Sequence, residues 1–149
     1  MALIRTFHRF GGQLLLCDLS NAMKEGELLD PTRPETQLLP IPEVAAAVAN
    51  STLDMQEARP SLDVFMLGLM LYEGLTGRQV FEGLSPKDIS KLLLKPGELE
   101  LDLSAIKENI ARYILRNVLR KDPAQRFTIK DVILNLMQMR GNWPVGRRD

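Results

Sequence analysis

Apolar and polar positions divide this chain into one segment that is apolar on every side and several that are apolar on one. From Pro60 to Gly77 it reads PSLDVFMLGLMLYEGLTG. Leu62, Phe65, Met66, Leu69, Met70 and Tyr72 keep a helical period, while Val64, Leu67 and Leu71 fill the opposite face, the pattern of a helix buried all round. It is too short to span a bilayer and carries Asp63 and Glu73, so it is read as the central core helix. Pro60 and Ser61 give its start, and Thr76-Gly77 its stop through a glycine C-cap. Asp63 is the anomaly. One turn into an apolar helix, a carboxylate must stay wet or accept hydrogen bonds, because an unpaired buried charge is costly. Asp63 is therefore expected to hold another loop in place.

Other segments follow in order. Leu3 to Phe10 and Gln13 to Asp18 are β-capable runs joined by Gly11-Gly12, a two-residue hairpin signal. Asn21 to Leu39 is polar and proline-bearing, without a period, and reads as a loop. Glu43 to Ala49 is a short alanine-rich helix, and Asn50 to Arg59 a polar connection. Gln79 to Leu84 forms a loop anchored by Phe81. Ser85-Pro86-Lys87-Asp88 then starts a helix, with serine at the N-cap, proline at the first helical position and an acid three residues after the cap. That helix carries Ile89, Leu92 and Leu93 and ends near Lys95-Pro96-Gly97. Ser104 opens the next, whose Ile106, Ile110, Tyr113, Ile114, Asn117 and Val118 form a core-facing stripe opposite Lys107, Glu108, Arg112, Arg116 and Arg120. Thr128 to Asp131 caps a last helix with Val132, Ile133, Leu136 and Met137 facing inward, which Gly141 stops. Residues 144–149 are expected to be a disordered tail.

Composition narrows the class. With 149 residues the chain is one domain, long enough to bury roughly two-thirds of its unfolded surface. Its 19 basic and 19 acidic residues cancel, so neither nucleic acid nor an anionic membrane is an expected partner. The basic ridge after Ser104 has too few interleaved aromatics for a nucleic-acid face and reads as solvated surface. A single cysteine, Cys17, suits a reducing compartment, and the N-terminus has no signal-like apolar core, so a cytoplasmic protein is expected.

The central helix also carries a resemblance. Asp63-Val-Phe-Met-Leu-Gly68, then Leu71-Tyr72-Glu73, Leu75-Thr76-Gly77-Arg78 and Phe81, resemble the long helix of the C-terminal lobe of eukaryotic serine/threonine protein kinases and the segment after it. Leu119 to Thr128, LRKDPAQRFT, is similar to that family's Lys-Asp-Pro-x-x-Arg-x-Thr stretch. Ile41-Pro42-Glu43 resembles the Ala-Pro-Glu closing the activation segment, and Cys17-Asp18-Leu19-Ser20 sits where its metal-binding Asp-Phe-Gly belongs. The resemblance covers roughly residues 10 to 140. It implies a mainly α fold: a kinase-like C-terminal lobe over 1–143, with a small N-terminal β-hairpin at 3–18, an activation-segment-like loop at 18–43 and a helical core at 43–140.

Particular residues inherit expectations from it. Asp18 would hold magnesium against the phosphates of ATP, since a hard cation wants oxygen ligands and the transferring group needs its charge neutralised. Leu19 for Phe and Ser20 for Gly depart from the family pattern there, as does Phe65, where the family often has Trp. Read from the residues alone, Asp18 is equally a strand-end acid at a turn. Thr32 lies where a phosphosite falls before the Pro-Glu pair, and Thr36 where serine/threonine kinases keep a threonine facing the catalytic loop; both are also plain loop hydroxyls. Glu43 and Arg126 are implied to form a buried ion pair, for which arginine's fork is suited because it can make two parallel hydrogen bonds. His8-Arg9 is not a catalytic His-Arg-Asp, because Phe10 and a glycine turn follow.

Phosphoryl transfer needs a phosphate-covering glycine loop, a lysine on the phosphates, a catalytic aspartate and metal ligands together. These 149 residues supply at most one of them, Asp18, and no small lobe, so alone they are expected not to phosphorylate anything. Three readings stand. The chain is the C-terminal lobe of a serine/threonine kinase, or a pseudokinase-type scaffold, or an unrelated helical interaction domain. A lobe without its small-lobe partner would expose apolar surface near Leu14 to Leu19, so a protein partner, a small lobe or self-association is expected.

Overall fold

The computed structural model describes residues 6–10, 13–17, 22–30, 36, 39–50 and 56–142. Asp18, Thr32, the Gly11-Gly12 turn, Leu3 to Arg5 and the 143–149 tail lie outside the described residues.

The architecture is mainly helical, a bundle of the kind a kinase-like C-terminal lobe requires. Strands β1 (Thr6–Phe10) and β2 (Gln13–Cys17) pair antiparallel from Thr6 opposite Cys17 to Phe10 opposite Gln13, in the register a two-residue connection imposes. A second, shorter pair joins β3 (Leu28–Leu29) to β4 (Gln56–Glu57). Both stretches read as irregular connections in the sequence. They pair because Leu29 and Ala58 are buried there, and two further backbone bonds, Ala58 N–H to Glu27 C=O and Gly26 N–H to Ala58 C=O, extend the ladder. Two-residue strands leave no periodicity to detect.

Five helices follow among the described residues: α1 (Pro42–Ala49), α2 (Pro60–Thr76), α3 (Pro86–Leu94), α4 (Asn109–Val118) and α5 (Ile129–Asn142). Helix α1 packs on α3, α2 on α4, and α4 on α5. The first half of α2 is the core's spine, with Leu62 and Phe65 fully enclosed beside Ile41, Ile114, Leu115 and Leu119. Its last turn surfaces, leaving Glu73, Gly74 and Leu75 exposed. Gly77 ends it in the left-handed conformation, φ 70°, donating its N–H to the Glu73 carbonyl. Gly68 lets α2 approach α4, for a Cβ there would meet Val118 Cγ2 at 2.7 Å and Leu119 Cδ2 at 2.8 Å.

Helix α3 begins as its sequence dictates. Ser85 Oγ accepts the Asp88 N–H and donates to the Asp88 carboxylate. Helix α4 does not. The Asp102 carboxylate takes both the N–H and the hydroxyl of Ser104, turning the chain and diverting the residue expected to cap a helix, which starts five residues later at Asn109. The buried stripe of α4 is Ile114, Leu115 and Val118, whereas Tyr113 is 52% exposed and meets Phe127 edge to face with ring centroids 5.5 Å apart.

Helix α5 opens with a reciprocal box. The Asp131 carboxylate accepts from both the Thr128 N–H and hydroxyl, and the Asp131 N–H is accepted by Thr128 Oγ1. It runs through Gly141 to Asn142, so Gly141 is not its stop. Of the four residues expected to face inward, only Val132 is buried; Ile133, Leu136 and Met137 are exposed. The α5 pattern is apolar over more than one face, and the core takes only the Val132 edge.

Candidate functional site

A densely connected side chain among the described residues is Arg126, in the turn between α4 and α5. All five of its N–H donors are used. Nη1 and Nη2 reach the two carboxylate oxygens of Glu43 at 2.8 and 2.9 Å, Nη1 also donates to the Ser61 carbonyl, Nη2 to the Lys121 carbonyl and Nε to the Arg120 carbonyl. The guanidinium side chain is fully buried and the Glu43 side chain is 10% exposed, so the pair is shielded from water and salt. Beneath it lies Phe65, whose ring centroid is 4.8 Å from the guanidinium carbon, in cation–π range.

Each partner is delivered by a different element. Glu43 stands in the first turn of α1, after a Pro42 whose fixed φ suits the first helical position. Ser61 and Phe65 come from the first two turns of α2, and Arg126 follows the 122–125 turn, in which Gln125 N–H meets the Asp122 carbonyl and the Ala124 N–H meets the Asp122 carboxylate. The structure thus brings Glu43 and Arg126 together. The sequence places Phe65 on the periodic apolar face of the central helix and marks it as a departure from a family tryptophan; its place under the guanidinium comes from long-range packing that spacing does not encode.

The chain leading into α1 is pinned above this pair. Leu39 and Ile41 are buried, and Thr36 is buried with its carbonyl accepting the Leu39 N–H at 3.0 Å. Leu39 and Pro40 form one wall of a groove of about 340 Å3. Leu69 and Glu73 of α2, Val80 and Phe81 of the following loop, and Pro86 and Ile89 of α3 supply the others. The groove mixes apolar side chains with polar ones, Gln79, Ser90 and the carboxylate of Glu73. Asp63 lies in the first turn of α2 with one carboxylate oxygen buried.

Lys121 adds a second tie. Its ammonium donates to the Leu92 carbonyl at 2.7 Å and the Lys95 carbonyl at 2.9 Å, at the end of α3 where the helix dipole is negative. Burial lowers its pKa from the ordinary lysine value; Glu98 pulls the other way and Lys95 adds to the lowering. Among the described residues no three His, Cys, Asp or Glu side chains cluster as metal ligands, and no helix is long and apolar enough to cross a membrane.

No protein-family model matches the chain. Over 71 residues it is 31% identical to Tribbles homolog 2 of Canis lupus familiaris, Bos taurus and Mus musculus, a pseudokinase of the kinase-like superfamily. The matched stretch is 48% of this chain and 20% of each relative, so the chain spans about a fifth of the length of the curated relatives it matches. The likeness is to the kinase-like superfamily and concerns that stretch alone.

Proposed function

We propose that this chain is the helical lobe of a kinase-like fold that works as a pseudokinase-type scaffold, presenting a protein-binding surface and transferring no phosphate. The observation carrying the helical-lobe part of this reading is the buried Glu43–Arg126 pair, which joins the end of the 18–43 segment to α2 and to the turn before α5. A buried bidentate pair with all five arginine donors met holds a segment in one geometry, as a binding surface needs. It supplies no chemistry to a phosphoryl group. The likeness to Tribbles homolog 2 supports the same choice.

The second reading is the lobe of an active serine/threonine kinase completed by a small lobe, with Asp18 as the carboxylate that would hold magnesium and so ATP. Asp18 lies outside the described residues, and its fit to the ion rests on the sequence alone. Titration calorimetry with ATP and magnesium, beside an Asp18→Ala control, separates the two. The scaffold reading expects no nucleotide heat. Binding that Asp18→Ala abolishes would overturn it.

A further inference from the structure

The loop between α2 and α3 displays a hydroxyl in a distinctive setting. From Glu82 to Asp88 every residue is exposed, with Ser85 at the centre. Among the described residues the backbone bonds of this loop are local, from Glu82 N–H to the Gln79 carbonyl and from Leu84 N–H to the Phe81 carbonyl. The hydroxyl bonds within the same segment: it donates to the Asp88 carboxylate at 2.6 Å and accepts the Asp88 N–H at 3.2 Å. Ser85 is extended, with φ −71° and ψ 157°, close to polyproline II geometry, and Pro86 follows it. Of the nine prolines in the chain, Pro86 alone follows a serine or threonine.

We infer that Ser85 is a phosphorylation site for a proline-directed serine/threonine kinase. This inference does not rest on the kinase-like reading of the chain itself. Such an enzyme takes an extended acceptor strand and receives the next residue in an apolar pocket, where any residue but proline would bury an amide N–H without a partner. Ser85-Pro86 holds that extended geometry before the enzyme arrives. In the transfer, Ser85 Oγ attacks the γ-phosphorus of ATP on the modifying kinase. The new oxygen–phosphorus bond forms as the bond to the departing ADP oxygen breaks, and the hydroxyl proton passes to that kinase's catalytic carboxylate. The side-chain bonds that must open are those to Asp88. Ser104 and Thr128 are also exposed and bonded to a nearby aspartate, but Ala105 and Ile129 follow them, so they are not expected to react. Leu84 and Pro86 line the groove beside α2 and α3, whose lining carries one charge, Glu73. A phosphate between them adds about two negative charges at its rim and changes what the groove accepts.

Incubation of the folded whole chain with a purified proline-directed kinase, ATP and magnesium tests it, with the modified positions read by peptide mass spectrometry. The free peptide 80–91 is the unfolded comparison. Pro86→Ala is the recognition variant: it keeps the Ser85 hydroxyl and its cap, alanine suits a helix, and far-ultraviolet circular dichroism verifies that the fold survives. Ser85 is expected to take one phosphate while Ser104 and Thr128 take none. The folded chain should react within about tenfold of the peptide's rate, since one cap is all that has to open, and Pro86→Ala should react at least about tenfold more slowly than the wild type. A folded chain much slower than its peptide would show that the fold withholds the serine, and a peptide that does not react would show that the enzyme does not read this sequence. Either result overturns the inference, as does a Pro86→Ala chain that reacts as fast as the wild type.

Discussion

Arg126 and Glu43, 83 positions apart, meet through two parallel hydrogen bonds of 2.8 and 2.9 Å, and the guanidinium spends its three remaining donors on the carbonyls of Arg120, Ser61 and Lys121. One side chain thereby fixes α1, α2 and the turn before α5 to one another. Removing it leaves Glu43 shielded and three carbonyls short of a partner. Arg126→Ala is expected to lower unfolding free energy by about 3 to 5 kcal/mol. Arg126→Lys keeps the charge but cannot reproduce the planar fork, and about 2 to 3 kcal/mol is expected. Urea titrations beside Arg116→Ala, an exposed arginine of α4, check this. A shift for Arg126→Ala no larger than that control's would refute the hub.

Two glycines of α2 are expected to respond to alanine with opposite signs. At Gly68 the added Cβ would sit 2.7 to 2.9 Å from Val118 and Leu119 side-chain carbons, forcing α4 away. The overpacking, about 1 to 3 kcal/mol, outweighs the gain of about 1 kcal/mol in helix propensity. At Gly74 a Cβ meets nothing within 4 Å, so the propensity gain stands alone and stability should rise by up to about 1 kcal/mol. Thermal melts of both variants decide it, and a stabilised Gly68→Ala would mean the α2–α4 contact is looser than described.

Legibility tracked how local the governing interaction was. Gly77, Ser85 and Thr128 cap through neighbours within four residues, and all three caps could be read from sequence. The α4 start could not. Ser104 is an acceptable cap until Asp102, two residues back, takes its N–H and hydroxyl, and nothing in the apolar spacing weighs one hydrogen bond against the other. Periodicity likewise marks which α5 residues are apolar but not which are covered, because that depends on which neighbour is present. At the site, Glu43 and Arg126 were named from a resemblance; the Phe65 platform and the Lys121 tie depend on long-range placement that spacing does not encode.

The α5 box should leave a signature in acid. Hydrogen bonds from the Thr128 hydroxyl, then from its N–H, hold the Asp131 carboxyl below its ordinary value of 3.8, against a small opposing effect of burial. A depressed folded-state value means the ionised box stabilises the fold above the unfolded value, with that stability lost as pH falls from about 3.8 through the lower folded one. Asp131→Asn cannot ionise. The wild-type melting temperature should therefore exceed the variant's near neutrality, with the gap closing as pH drops below 3.8. Parallel melting curves across that range would show that the carboxylate's charge plays no part in the cap.

Lys121 should hold the end of α3 rather than contribute through ion pairing. Its ammonium lies at hydrogen-bond distance from the Leu92 and Lys95 carbonyls, which the helix itself leaves unmatched, and it is only partly exposed. Lys121→Met keeps the apolar stem and removes the donors. About 1 kcal/mol of destabilisation is expected, with faster amide exchange confined to the last turn of α3. Lys91→Met is the contrast: that ammonium is 3.5 Å from Asp88 in an ion pair with both side chains more than half exposed, so its loss should change stability by less than about 0.5 kcal/mol. Raised salt should weaken what little Lys91 contributes and leave the Lys121 effect nearly unchanged, because carbonyl acceptors carry no net charge for ions to screen. A Lys121 effect that disappears in salt would reassign it to its Glu98 neighbour.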